Sequence, residues 1–299
     1  MGRFQHIIDI RGRLKAAEAE AAILILRELA SELQEMSFEE MSRCKSALGG
    51  TSSFTSLLAH ADEEVADAAA SLVNVLAGRG AYIRKVTLGT KADVELRILE
   101  RPGEGSVALR LWRSALVLSE HMTQSRFVDV RGKQVLELGC GLGLPGIACA
   151  AAGAAHVCLS DVSVDSIELA RRNAALNGLD RVVEAQTLDW DEPHDSTKFE
   201  LIIAADVCYE ECHSEPLARA LPQLLERKSD SRAIIVLDAD SSRLPCMRGS
   251  VPRFISAVAE RGELRCLHDS HSEDEPVSDT CPDEPVRTLV YGWVESAGA

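Results

Sequence analysis

No apolar run in these 299 residues approaches the roughly 20 consecutive residues that a bilayer span requires. Positive charge is also scarce: 32 Lys and Arg stand against 47 Asp and Glu, a net charge of −15. Phosphate backbones are bound chiefly through Lys and Arg, so a nucleic acid partner is not expected and a basic protein partner is. The opening Met-Gly-Arg-Phe-Gln-His-Ile-Ile-Asp-Ile lacks the apolar core and small-residue cleavage pattern of a secretory leader, which sets the expectation at cytosol or nucleus. The nine cysteines are an odd number, and Cys140, Cys149, Cys158 and Cys208 fall in expected strands and helices, so no disulfide framework is implied. No metal is expected either. Cys208, Cys212 and His213 are the one cluster of soft donors, and no second ligand pair follows at a zinc spacing.

What is present is enough apolar residue, 46%, for a sizeable core in one large or two small domains. Residues 134–146 are the most informative stretch. Val135, Leu136 and Leu138 supply a buried strand, Gly139, Gly141 and Gly143 permit a tight turn and close backbone approach, and Pro145 suits a first helical turn. Two kinds of cofactor compete for such a turn. Gly141, Gly143 and Gly146 fit the G-x-G-x-x-G spacing of dinucleotide enzymes, with Asp161 at a suitable distance for a ribose hydroxyl. A pyrophosphate, however, wants positive potential at the helix start, and Glu137 sits two residues before Gly139. S-adenosylmethionine carries a sulfonium and an ammonium and no phosphate, so an acid there is an asset and tilts the reading towards methyl transfer. The structural alternative for Glu137 is a strand-end carboxylate bonded to nearby backbone N–H groups.

Beyond the turn, strands and helices alternate. Helices are expected over 144–152, 164–176, 215–226 and 251–261, and strands over 156–160, 182–185, 201–204 and 233–237, with a final strand over 286–293. This predicts an α/β fold with a mainly parallel sheet and helices on both faces. The loop from Asp269 to Pro285 carries seven acids and no Lys or Arg, and reads as a solvated connection. Upstream, 86–88 and 94–99 alternate as a hairpin would, and 107–122 returns to a helical pattern.

Three strand ends carry the candidate chemistry. Asp161 can accept both ribose hydroxyls, or cap the helix that starts near Val164. Asp189 can accept from an adenine amino group while Trp190 walls the base, one of only three Trp in the chain; a core Trp is the alternative. Asp206 and Tyr209 face the position of a methyl acceptor, where a carboxylate and a phenol can orient an amine and accept its hydrogen bonds. Otherwise Asp206 caps the next helix and Tyr209 packs. Asn173 and Asn177, one helical turn apart, read as surface residues.

Taken together, these motifs resemble the seven-strand, S-adenosylmethionine-dependent protein-lysine methyltransferases called methyltransferase family 16. The resemblance rests on Gly105 to Trp112, Val135 to Gly146, Asp161, Trp190, and the Asp-x-x-Tyr of Asp206 to Tyr209, and covers about residues 82–295. It implies a Rossmann-like seven-strand sheet. It also implies cofactor contacts from Trp112, Gly139, Cys140, Gly141, Asp161, Trp190 and Ala205, with Asp206 and Tyr209 beside the acceptor, most simply a lysine side chain. Two departures stand out. Residues 106–111 lengthen the Gly-to-Trp spacing, and Asp238 and Asp240 place two acids after the fifth strand. Histidine or small-molecule methylation, and a catalytically silent adaptor, remain open alternatives. The absence of an Asn-Pro-Pro-Tyr motif argues against exocyclic amines of nucleic acid bases.

The first eighty residues show no strand pattern. Residues 16–33, 38–48 and 62–76 read as helices, and 49–77 resemble one armadillo or HEAT-type repeat, so a small all-α module over 1–80 is expected to precede the α/β domain over 81–299. Its role, packing or substrate recognition, is left open, as is the oligomeric state.

Overall fold

A computed structural model describes residues 19–34, 82–89, 94–100, 110–192, 197–238, 249–272 and 286–294, with isolated residues at 9, 13–14, 44, 48, 54, 57, 64–65, 68–69 and 72. The chain divides into two compact units, Met1–Lys85 with Arg97–Arg110, and Val86–Leu96 with Leu111–Ala299. In the first unit, helix α1 (Ala19–Gln34) buries Leu26, Leu29 and Leu33 in a core that also contains Leu48, Phe54 and Leu72. These leucines recur at three- and four-residue spacing, as an amphipathic helix requires. Most of the armadillo-like stretch over 49–77 lies outside the described residues. Strands β1 (Tyr82–Leu88) and β2 (Val94–Glu100) form a separate two-stranded sheet, where the alternation of the sequence placed a hairpin.

From Leu111 on, the second unit runs through helix α2 (Arg113–Thr123), β3 (Gln134–Leu138), α3 (Leu144–Ala151), β4 (His156–Asp161), α4 (Val164–Leu176), β5 (Val183–Thr187) and β6 (Leu201–Ala205). It closes with α5 (Ser214–Leu224), β7 (Arg232–Asp238), α6 (Ser250–Arg261), β8 (Leu264–Ser272) and β9 (Val286–Trp293). The seven strands form one sheet in the order β5-β4-β3-β6-β7-β9-β8. Pairing is parallel from β5 to β7, while β9 runs antiparallel to both β7 and β8. Central strands β3, β6 and β7 are buried along almost their whole length, which is why they read as continuous apolar runs. Helices α2, α3 and α4 pack among themselves, as do α5 and α6, so the sheet is covered on both faces.

Strand β8 was not expected. Its residues Arg265, Cys266 and Leu267 are exposed at the sheet's edge, so no inward-outward alternation marks them. The acidic loop therefore starts later than the sequence suggested: Asp269 belongs to β8, where its carboxylate accepts two hydrogen bonds from Arg287 of β9, at 2.9 and 2.7 Å. Residues 273–285, with the other six acids, lie outside the described residues.

The order of strands fixes where a ligand can sit. The chain runs from β3 outward through β4 to β5, then returns to the other side of β3 for β6 and β7. That reversal opens a crevice at the carboxyl ends of β3 and β6, the usual ligand position in an open α/β sheet.

Candidate active site

At the crevice, β3 runs into the glycine turn that starts α3. Gly139 has φ +62, and a Cβ there would stand 2.7 Å from Cγ1 of Val207 and 3.3 Å from the Trp190 ring. The turn thus packs directly under the loops that follow β5 and β6. Its backbone is tied down at several points: Cys140 N–H donates to the Ser160 carbonyl at 2.8 Å, and the Asn173 amide donates to the Leu142 carbonyl at 3.0 Å. Asn173 is fully buried, which corrects its reading as a surface residue. Cys140 is buried too, and burial pushes its thiol well above the usual range.

Glu137 takes its structural alternative. It is enclosed at the end of β3, and its carboxyl accepts from Gly146 N–H at 2.7 Å, joining the strand to the first turn of α3. Burial pushes it up to about 8. The contact holds the turn in shape, the strand-end role that the sequence left as the alternative to a place beside a sulfonium. Gly146 is required for this approach, because a Cβ on it would crowd both Leu159 and the Glu137 carboxyl.

Asp161 closes β4 on the crevice side. One carboxylate oxygen accepts from Gly141 N–H and the other from Ser163 N–H, both at 2.9 Å. Burial raises its pKa while these backbone bonds oppose the rise. Each oxygen has a further lone pair, so the group can also accept from a pair of vicinal hydroxyls. The cap of α4 is Ser163, whose hydroxyl accepts from Ser166 N–H at 3.3 Å, so Asp161 is not itself the capping residue.

After β5, Asp189 is exposed and accepts from Asp191 N–H at 2.9 Å, an Asx turn that holds the loop. Trp190 is half-buried against the core and meets His213 edge-on at 6.1 Å between ring centroids. His213 in turn meets Tyr209 at 4.6 Å. The structure therefore links Trp190 and Tyr209 through a histidine that sequence reasoning had considered only as a metal donor. Among the described residues, Glu210, Cys212 and His213 bring donor atoms within 4.8 Å of one another, while Cys208 is buried away from them.

After β6 the half-buried Ala205 leads to Asp206, which has φ +54. Non-glycine residues adopt this region infrequently and at a cost, and such positions concentrate at functional sites. The conformation is held by Asp206 N–H donating to the Val236 carbonyl at 2.9 Å. Oδ1 of Asp206 accepts from the Ser114 hydroxyl at 2.7 Å and from Asp238 N–H at 2.9 Å. Ser114 and Asp238 were absent from the expected site. Ser114 lies two residues after the half-buried Trp112, which occupies the cap position of α2. A small cavity of about 10 Å³ is lined by Asp206, Tyr209 and Asp238, together with Cys208, Leu237, Ser250 and Val251. Tyr209 is 41% exposed at its mouth, and partial burial, followed by the charges of Asp161 and Glu210, raises its phenol.

A family described as lysine methyltransferase matches residues 90–245. The zebrafish protein N-lysine methyltransferase METTL21A is 30% identical over 191 residues, covering 62% of this chain and 82% of that one. The protein-lysine N-methyltransferase EFM2 of Saccharomyces cerevisiae is 24% identical over 189 residues; the match covers 55% of this chain and under half, 43%, of the yeast protein. Among solved structures, a putative SAM-dependent methyltransferase from Streptococcus mutans shares the fold with a TM-score of 0.51 at 12% identity, over 71% of this chain and 55% of that one.

Proposed function

From the premise that the chain belongs to the lysine methyltransferase family, we propose that it transfers a methyl group to the side-chain amine of a lysine in a protein. The methyl donor is S-adenosylmethionine. The residues at the crevice suit it: Asp161 offers a carboxylate for ribose hydroxyls, Trp190 a flat apolar wall, and the backbone turn of Gly139, Cys140 and Gly141 close approach. A pyrophosphate would find acids at Asp161 and Asp189 instead. When bound, the donor supplies a methyl group on a positively charged sulfur.

The observation that carries the reading is the cavity shared by Asp206, Tyr209 and Asp238. A lysine amine has a pKa of about 10.4 and must reach the reaction neutral. Asp206, with Oδ1 held by two donors, orients the amine and accepts its N–H, and the Tyr209 phenol gives a second hydrogen-bonding group at the mouth. Their task is alignment of a nitrogen lone pair rather than covalent chemistry. The paired carboxylates and the net charge of −15 favour a target lysine in a basic segment, in the cytosol or nucleus. Residues 1–80 are assigned to a helical armadillo- or HEAT-like module and 81–299 to the catalytic domain; the core around Leu26, Leu29 and Phe54 supports a separately packed N-terminal unit.

Incubation with methyl-labelled S-adenosylmethionine and a cell extract, followed by mass spectrometry of the labelled species, tests the acceptor. Label on lysine is the expected result, and label confined to histidine or to metabolites would replace the acceptor. Calorimetry tests the donor independently: preference for NAD over S-adenosylmethionine would overturn it.

A further inference from the structure

The opposite end of the sheet carries a second site of different chemistry. Asp238 closes β7 at the reaction cavity, whereas Arg232 opens the same strand six residues earlier, about 20 Å away at the usual rise per residue. There a recess of about 250 Å³ is lined by Arg227, Lys228, Arg232 and Arg265, with Leu267 and Trp293 among the other wall residues and, among the described residues, no carboxylate in the lining. Four cations in one recess are unusual for a chain in which acids outnumber bases by 47 to 32.

The recess has a built floor. Trp293, the last residue of β9, donates its indole N–H to the Glu226 carbonyl at 2.7 Å, which fixes the ring, and the Arg227 guanidinium lies 4.9 Å from the ring centroid. Arg232 donates to the Ser229 and Ser231 carbonyls at 2.7 and 2.8 Å, contacts that position the guanidinium without neutralising it. Lys228 is paired with the Glu226 carboxylate at 2.9 Å, so the attraction rests mainly on Arg227 and Arg232. Leu267 is 41% exposed and adds an apolar surface beside them.

We infer that this recess docks an acidic, partly apolar peptide segment of a protein partner. Guanidinium forks match carboxylates in two-point hydrogen bonds, and the Trp293 and Leu267 surfaces take an aliphatic side chain between them. A nucleic acid strand would need many phosphate contacts against a field of net charge −15, whereas a short peptide needs two or three carboxylates. Among the described residues, the recess shares no lining residue with the reaction cavity. Docking there adds affinity for a partner without touching the chemistry.

The test uses the full chain and intrinsic Trp fluorescence, with W293F identifying the signal of Trp293. A synthetic peptide of glutamate and leucine is titrated, alongside its lysine and leucine counterpart and single-stranded oligothymidylate. The acidic peptide should bind, more weakly as salt rises, and R227E should weaken it at least about tenfold while leaving S-adenosylmethionine binding and the melting temperature unchanged. Arg227 is exposed, and R227Q serves if the charge-reversed variant folds poorly. Absence of peptide binding, equal binding by wild type and variant, or preference for the lysine peptide or the oligonucleotide would each overturn the inference. Because only binding is read, failure here leaves the methyl-transfer reading standing.

Discussion

The Ser114 hydroxyl, on the first turn of α2, donates to Oδ1 of Asp206 at 2.7 Å across 92 residues of chain. Together with Asp238 N–H on the same oxygen, it fixes the carboxylate plane of a residue already held at positive φ. S114A removes one of the two donors. Its expected effect is a fall in kcat of about five- to tenfold, the size of one hydrogen bond, with little change in the affinity for S-adenosylmethionine. D206N should cost more, about a hundredfold or greater, while folding normally, because Asn tolerates the left-handed conformation. Steady-state rates on a lysine-containing peptide, with melting curves for both variants, check the pair. Equal rates for S114A and wild type would show that the contact does not position Asp206 for chemistry.

At Gly139 an alanine meets two obstacles. Its φ of +62 strains any side chain, and the added Cβ would press on Val207 and the Trp190 ring at 2.7 and 3.3 Å. G139A is expected to lower stability by roughly 1–3 kcal/mol and to weaken S-adenosylmethionine binding by shifting Trp190. Denaturant unfolding and calorimetry give the two readouts. Unchanged binding would separate the turn from the cofactor site.

Much of this arrangement was legible because the central strands and the helices between them are strongly periodic or continuously apolar: α4 spans Val164–Leu176, as its spacing predicts. Edge strand β8 was not legible, since exposed polar residues at a sheet margin carry no burial pattern. For Glu137 the difficulty was direction. The neighbours of a strand residue buried on both faces come from the fold, so spacing alone did not show that its carboxyl meets Gly146. Asn173 left a usable signal. It lies on the face of α4 that buries Ser166, Ile167, Ala170 and Ala174, at offsets of seven, six and three residues and of one residue beyond. His213 and Ser114 had no such mark, because their contacts join segments distant in sequence or turns of irregular shape.

The buried Asn173 amide is one of the ties on the glycine turn, through its 3.0 Å bond to the Leu142 carbonyl. N173A leaves that carbonyl without this donor and opens a small void against α4. We expect a loss of about 1–3 kcal/mol in stability and a several-fold weaker S-adenosylmethionine affinity. N173D, which cannot donate when ionised, should behave at least as badly. Parallel melting and binding measurements on the two variants check this, and a neutral N173A would mean that the turn holds its shape without the contact.

Glu137 makes stability depend on pH in a calculable direction. Its folded pKa, about 8, lies above the ordinary value of 4.5, so between those limits the folded chain binds a proton that the unfolded chain has released. The contribution is fully present below pH 4.5, declines as pH rises through the window, and is lost above about 8. E137Q keeps an acceptor for Gly146 N–H but cannot ionise, so its stability should fall less steeply than that of wild type from pH 5 to 8. The stability difference between the two proteins at each pH, from urea midpoints, isolates the group from other titrating residues. E137A supplies the contrast: it removes the acceptor, leaves the buried Gly146 N–H without this partner, and should be destabilised across the whole range. Parallel curves for wild type and E137Q would show that the carboxyl stays ionised in its enclosure and that some unrecognised contact stabilises the charge.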